Sequence, residues 1–367
     1  MNKAAFFTHN LDLGGAQRVI VNLTSELAER SHEVEIVLQR KQGELLKQVH
    51  DDVTIFNLDA DPFIPMVLAL RAYLREHRPG VLLSTVNTAN LAAILAVKTT
   101  RSRTRHVVRI ANTPSMIAKG YDKRFTDKPF PYLMQWLYPR ADRIVAVSGG
   151  LADELLENYG VNRERIDVIY NPTVTDSLIA QSKEPVDHQW FQHPETEVVL
   201  GVGSLTEQKD FSTLLRAFSL VREERDAKLV ILGDGEQRGQ IGRLARELGI
   251  EDDVSLPGTV TNPYPYMANA DVFVLSSLYE GCPNVLIEAM ACACPVVATD
   301  CPHGPNDILE GGRIGQLVPV GDVGRLKEAI LETMADPPPT DQLTNRARSF
   351  HVKSVADRYE KVLYGEE

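Results

Sequence analysis

The chain predicts an α/β fold made of two tandem Rossmann-like, doubly wound domains. Short apolar runs alternate with amphipathic stretches of helical period, which is the pattern of βαβ units and a mostly parallel sheet. A polar, Pro-containing segment from 171 to 197 interrupts the series, and the same alternation then starts again. A length of 367 residues with 43% apolar content is enough for two cores.

In chain order, Ala4 to Thr8 reads as a strand, Ala16 to Arg30 as a helix, and Glu33 to Leu38 and Val53 to Leu58 as strands. Met66 to Glu76 is helical, Val81 to Ser84 a strand, Asn90 to Val97 a helix and Val107 to Ile110 a strand. Helix Phe130 to Tyr138 precedes strand Arg143 to Ser148, and helix Leu151 to Tyr159 precedes strand Ile166 to Tyr170. After the break, strands begin at Val198, Lys228, Val254, Val272 and Pro295, separated by helices Leu214 to Arg222, Gln237 to Leu248 and Val285 to Met290. Beyond Pro337-Pro-Pro, Gln342 to Tyr364 is helical with an interruption near Phe350, and its last part is expected to cross back to the first domain. The expected domains are therefore 1–172, together with a C-terminal helix at about 350–367, and 173–349, facing a central cleft.

Composition removes several functional classes. The net charge of −11 argues against nucleic acid as a partner, although the charge is uneven. Up to Pro172 there are 22 Lys and Arg against 19 Asp and Glu, and beyond it 17 against 31. No apolar run is long enough to span a bilayer, and the start of the chain has no signal-like region, so a cytoplasmic enzyme is expected. All four cysteines fall between 282 and 301 without paired C-x-x-C spacing; they read as reduced, buried thiols rather than a disulfide framework or a zinc site.

The residues that suggest chemistry lie at strand ends. Glu280-Gly-Cys-Pro-Asn-Val-Leu-Ile-Glu288 places a carboxylate, a tight turn and a second carboxylate at the mouth of a helix, just after the buried run from Val272. Free N–H groups at a helix start can hold an anion while flanking carboxylates bind hydroxyls, a combination suited to a sugar nucleotide. Leu13-Gly14-Gly15 follows the first strand and opens the first helix, which permits close backbone approach to an anion. Lys209 follows Gly203 by six residues and stands at the entrance of the next helix. A cation there opposes the helix dipole unless an anion lies between them. Asp59-Ala-Asp61 formally matches a metal-diphosphate motif, but it closes a strand in the first domain and is set aside. The glycines do not form G-x-G-x-x-G, which disfavours a dinucleotide oxidoreductase.

These motifs, in this order and in two tandem domains, resemble the retaining glycosyltransferases of family four, which have the GT-B fold. The likeness covers nearly the whole chain and is strongest toward bacterial enzymes that extend lipid-linked or capsular glycans. It implies that Glu280 contacts donor-sugar hydroxyls and Glu288 the nucleotide ribose. Lys209 would neutralise the diphosphate, joined by backbone N–H groups around Asn284 and Val285 and by the Gly14-Gly15 loop, with the base near Leu256 to Val260. Two positions depart from the family: Ser204 stands where an arginine is common, and Asn112 where many members have histidine. Asn112 can still hydrogen-bond a sugar hydroxyl.

The resemblance further implies a metal-independent hexosyltransferase with no cofactor. The expected donor is a nucleoside diphosphate sugar, uridine favoured, with an N-acetylhexosamine as one option. The acceptor would be a glycan or a polyprenyl-diphosphate-linked glycan. Cations mixed with aromatics over 117–140 suggest peripheral contact with an anionic membrane surface on the cytoplasmic side. Competing readings are a sugar-nucleotide epimerase, a glycan phosphorylase or a non-catalytic sugar-nucleotide-binding subunit.

Overall fold

The computed structural model describes residues 3–100, 102–118, 130–193 and 195–365. The chain forms two compact units, Met1–Thr173 with His351–Glu367, and Val174–Phe350.

The first unit contains β1 (Ala4–Thr8), β2 (Val34–Leu38), β3 (Thr54–Asn57), β4 (Val81–Thr85), β5 (Arg105–Ile110), β6 (Arg143–Ala146) and β7 (Ile166–Val168). They make one sheet in the order β3-β2-β1-β4-β5-β6-β7, every neighbouring pair parallel. β1, β2 and β4 are buried along their whole length, which explains why they read as continuous rather than alternating apolar runs. The strand order reverses between β1 and β4, so the loops after these two strands diverge to opposite faces of the sheet and leave a crevice at their C-terminal ends.

Helix Gly15–Glu29 turns Val19, Ile20, Leu23 and Leu27 inward at spacings of one, three and four. The C-terminal helix Val352–Tyr364 joins the same core through Val355, Ala356, Tyr359, Val362 and Leu363. It is therefore part of the first unit, as expected from its crossing back. Arg30 fastens it, reaching Asp357 at 2.6 Å and Glu360 at 2.8 Å, and the His32 ring stacks on Tyr364 at 4.5 Å.

The second unit holds β8 (Glu197–Val202), β9 (Ala227–Leu232), β10 (Val254–Gly258), β11 (Val272–Leu275), β12 (Val296–Thr299) and β13 (Gln316–Val318). Its sheet runs β10-β9-β8-β11-β12-β13, again parallel throughout, and its reversal lies between β8 and β11.

The segment 171–197, which interrupts the alternating series, carries structure of its own: Thr175 caps a short helix, Asp176–Gln181, whose Gln181 carbonyl accepts from Asn262 at 3.2 Å. His188 donates to or accepts from Ser255 at 2.9 Å and packs edge-on against Phe191 and Tyr266. The helix is too short to show a period, and the aromatics are anchored by residues far along the chain.

Candidate active site

The two loops that flank the β8/β11 reversal are stitched together. After β8, Thr206 begins a turn over Glu207–Lys209, and Asp210 takes a left-handed conformation to start helix Phe211–Arg222. After β11 come Ser276, Ser277 and the turn to Glu280. Leu278 N–H donates to the Gln208 carbonyl at 2.8 Å, Gln208 Nε2 to the Tyr279 carbonyl at 2.9 Å, and Ser276 Oγ to the Lys209 carbonyl at 2.8 Å.

These bonds bring together two groups separated by 71 residues: Lys209 Nζ lies 2.5 Å from Glu280 Oε1. The same oxygen accepts from Ser277 Oγ at 2.7 Å, and the Ser277 carbonyl is held by Thr299 Oγ1 at 2.6 Å. Glu280 is buried at 6% exposure, so the ammonium and hydroxyl compensate a carboxylate that has left water. Its charge, after burial, contributes to pushing the neighbouring Cys301 thiol up to about 12.

Lys209 is compensated differently from the expectation. Asp210 itself caps the following helix, taking the Thr213 N–H at 3.2 Å and the Thr213 hydroxyl at 2.6 Å, so the dipole is already satisfied. The cation's partner is Glu280. Gly203 makes room for the lysine stem: a Cβ there, at φ +159, would stand 3.2 Å from Lys209 Cε.

Glu288 is buried on helix Asn284–Ala291, one turn beyond Asn284 and Val285, both half-buried at its start. Its N-cap residue is Pro283, whose side chain offers no capping hydrogen bond. The loop after β12 closes over the turn: Glu280 N–H donates to the Pro302 carbonyl at 3.3 Å and Gly304 N–H to the Gly281 carbonyl at 3.2 Å. A side chain at Gly304 would strike Cys282 Cα at 2.9 Å, which explains the glycine in Cys301-Pro-His-Gly-Pro305. Ser204 is exposed on the β8 loop. Near Leu256, Arg238 Nη2 donates to the strand carbonyl at 2.6 Å, and its Nη1 is buried without a partner among the described residues.

Gly14, Gly15 and Asn112 belong to the first unit. Gly14 precedes helix Gly15–Glu29 in extended conformation and Gly15 is exposed; Asn112 is exposed after β5. Asp59 and Asp61 follow β3, and among the described residues no group of three or more His, Cys, Asp or Glu is arranged to hold a metal. The four cysteines are buried thiols, none in a disulfide.

Sequence reasoning missed Gln208, Ser276, Ser277 and Arg238. The serines had a signal: two hydroxyls ending a fully apolar strand must find partners when buried.

Two parallel doubly wound sheets, one with a buried carboxylate and an ammonium at its reversal, define a two-unit α/β protein with a candidate site at a strand-order switch. A family profile described as Glycosyltransferase Family 4 matches residues 13–177, and one described as Glycosyl transferases group 1 matches residues 196–336. The chain belongs to this glycosyltransferase family. It is 29% identical to the N-acetylgalactosamine-N,N'-diacetylbacillosaminyl-diphospho-undecaprenol 4-alpha-N-acetylgalactosaminyltransferase of Campylobacter jejuni, over 99% of this chain and 97% of that one. The lipopolysaccharide core biosynthesis glycosyltransferase LpsE of Rhizobium meliloti is 27% identical over 95% and 96% of the two chains. The fold is shared with Anabaena HepE in complex with UDP-glucose, at TM-score 0.79, 20% identity and 99% coverage of both chains. It is shared too with the lipopolysaccharide outer core galactosyltransferase WaaB, at 0.74, 21% and 98% of both.

Proposed function

We propose that this glycosyltransferase moves a sugar, with retention of anomeric configuration, from a uridine diphosphate sugar to a polyprenyl-diphosphate-linked glycan. The observation that carries the reading is the Lys209–Glu280 contact at the β8/β11 reversal, where ligands of open α/β sheets bind. In this reading the donor's diphosphate draws Lys209 away from Glu280, and Ser277 keeps Glu280 in place to meet the sugar hydroxyls. Lys209, with the start of helix Asn284–Ala291, stabilises charge on the leaving phosphate without a metal or other cofactor. That phosphate accepts the proton of the attacking hydroxyl on the same face of the sugar. Glu288 holds the ribose, and the base lies near Leu256 to Val260, beside Arg238. Ser204 leaves Lys209 as the main diphosphate cation.

An N-acetylhexosamine donor and a diphospho-undecaprenol acceptor are supported by the name of the Campylobacter relative, and a uridine nucleotide by the HepE complex. Peripheral membrane contact is supported by helix Phe130–Leu137, where Tyr132 is 78% and Trp136 55% exposed and the Arg140 guanidinium lies 4.1 Å from the Trp136 ring centroid. The neighbouring segment 119–129 lies outside the described residues. Among the described residues no helix is long and apolar enough to cross a membrane.

A thermal-shift panel of uridine and guanosine diphosphate sugars tests the donor: a ligand at 100 times its dissociation constant stabilises by about 2.7 kcal/mol. No shift with any uridine nucleotide would sink the donor assignment. Incubation with donor alone should give no epimer; a new sugar nucleotide without acceptor would point to an epimerase instead.

A further inference from the structure

The first sheet has its own reversal, between β1 and β4, and a continuous chain of side chains spans it. Gln39 Nε2 donates to Asp61 Oδ1 at 3.1 Å, Gln39 Oε1 contacts His9 Nδ1, and His9 Nε2 lies 2.5 Å from Thr88 Oγ1. His9, Gln39 and Asp61 follow β1, β2 and β3, and Thr88 is in the first turn of helix Asn87–Thr100 after β4. Four strands in succession therefore each supply one member from the C-terminal edge.

One end of the chain fixes the direction of every bond. A carboxylate only accepts, so Gln39 turns its NH2 to Asp61 and its oxygen to His9. Nδ1 must then carry the ring proton, which leaves Nε2 with a lone pair that the Thr88 hydroxyl fills. Arg40 binds the other Asp61 oxygen at 2.6 Å and balances its charge. Burial holds the imidazole below its ordinary value, outweighing the opposing effects of Gln39 and Asp61, so the ring is neutral.

A neutral nitrogen lone pair at a sheet reversal suits a hydroxyl and not the esterified diphosphate of a sugar nucleotide, which has no proton to offer at neutral pH. Thr88 occupies it with a rotatable group that a ligand hydroxyl can replace. The residue preceding His9, Thr8, ends β1 with a hydroxyl that is buried without a partner among the described residues. We infer that His9 Nε2 receives a hydroxyl of the sugar acceptor in place of Thr88, with Gln39 and Asp61 as positioning residues that keep the lone pair on that nitrogen. This assignment rests on the glycosyl-transfer reading and names its acceptor contact.

The test measures transfer from UDP-N-acetylhexosamine to a polyprenyl-diphosphate N-acetylhexosamine, with separate KM values for the two substrates. His9→Ala is expected to raise the acceptor KM by roughly five- to tenfold, the loss of one hydrogen bond, without moving the donor KM. Gln39→Leu, which frees the tautomer, should raise it less. Thr88→Val keeps the imidazole and removes the group that occupies it, and is expected not to raise the acceptor KM. If His9 merely fastens the β1 loop to the helix, His9→Ala and Thr88→Val will lower melting temperature and raise acceptor KM together, which overturns the inference. A wild-type acceptor KM in His9→Ala overturns it too. Failure of the unaltered enzyme to consume any uridine diphosphate sugar would instead remove the transfer reading beneath it.

Discussion

The reversal points of the two sheets are alike in topology and opposite in chemistry. At β8/β11 a buried carboxylate meets an ammonium, and both loops are tied to each other by backbone and hydroxyl bonds. At β1/β4 the bridge is a neutral imidazole on a hydroxyl, with the ionic groups Asp61 and Arg40 two and three contacts removed. The same strand arrangement thus presents a charge-handling edge in one unit and a hydroxyl-handling edge in the other. Architecture supplies the crevice, and a few side chains at strand ends decide what it recognises.

The largest expected effect separates charge from structure at β8/β11. Lys209→Ala should slow transfer by ~2.7–4 kcal/mol, as for loss of one oxyanion donor. It should also destabilise the fold by roughly 3 kcal/mol by leaving Glu280 buried without its cation. Adding Glu280→Gln should restore the melting temperature but not the rate; recovery of both would remove Lys209 from the chemistry.

Acid should distinguish the units next, because the first unit buries a second uncharged imidazole. His106 is fully buried, with Nε2 3.0 Å from Ser84 Oγ and Nδ1 without a partner among the described residues. Burial lowers its pKa to about 3. Above the unfolded value both states are neutral; below it the unfolded chain takes up a proton that the folded chain refuses. Stability therefore falls as pH drops from about 6.5 toward about 3, by up to ~1.4 kcal/mol per pH unit. Urea unfolding of His106→Gln should show a shallower acid dependence than the unaltered protein, and an identical slope would mean that His106 does not control it.

The smallest effect refines the carboxylate. Ser277→Ala removes one bond to Glu280 and should cost about fivefold in kcat/KM for the donor, ~1 kcal/mol, while leaving the acceptor KM alone. A loss confined to the acceptor would show that Ser277 serves the other substrate.

Much of this was legible in the sequence, unevenly. The buried parallel strands announced themselves as apolar runs, and Glu280, Glu288 and Lys209 stood out by their spacing from strand ends. The stretch 300–336 gave no element, although Asp322 followed by Leu326, Ala329, Ile330 and Thr333 has the cap and period of helix Val323–Ala335. β13 is three residues long and two of them are half-buried, too little for a pattern. The His9 chain was not visible at all. Its members come from three separate loops and the start of helix Asn87–Thr100, and only the parallel register of β1 to β4 makes them neighbours. Asp61 drew notice for the wrong reason, as half of a metal motif, because a sequence shows which carboxylates are adjacent and not which amide they face.

The last helix has a consequence of its own. Its apolar side faces residues encoded at the very beginning of the chain, since Tyr359 and Leu363 share a core with Ala4, Phe6 and Ile36. A stop codon near position 350 is thus a lesion of the amino-terminal half: the ribosome would release a molecule whose first-made sheet lacks its cover, while the later-made one is intact.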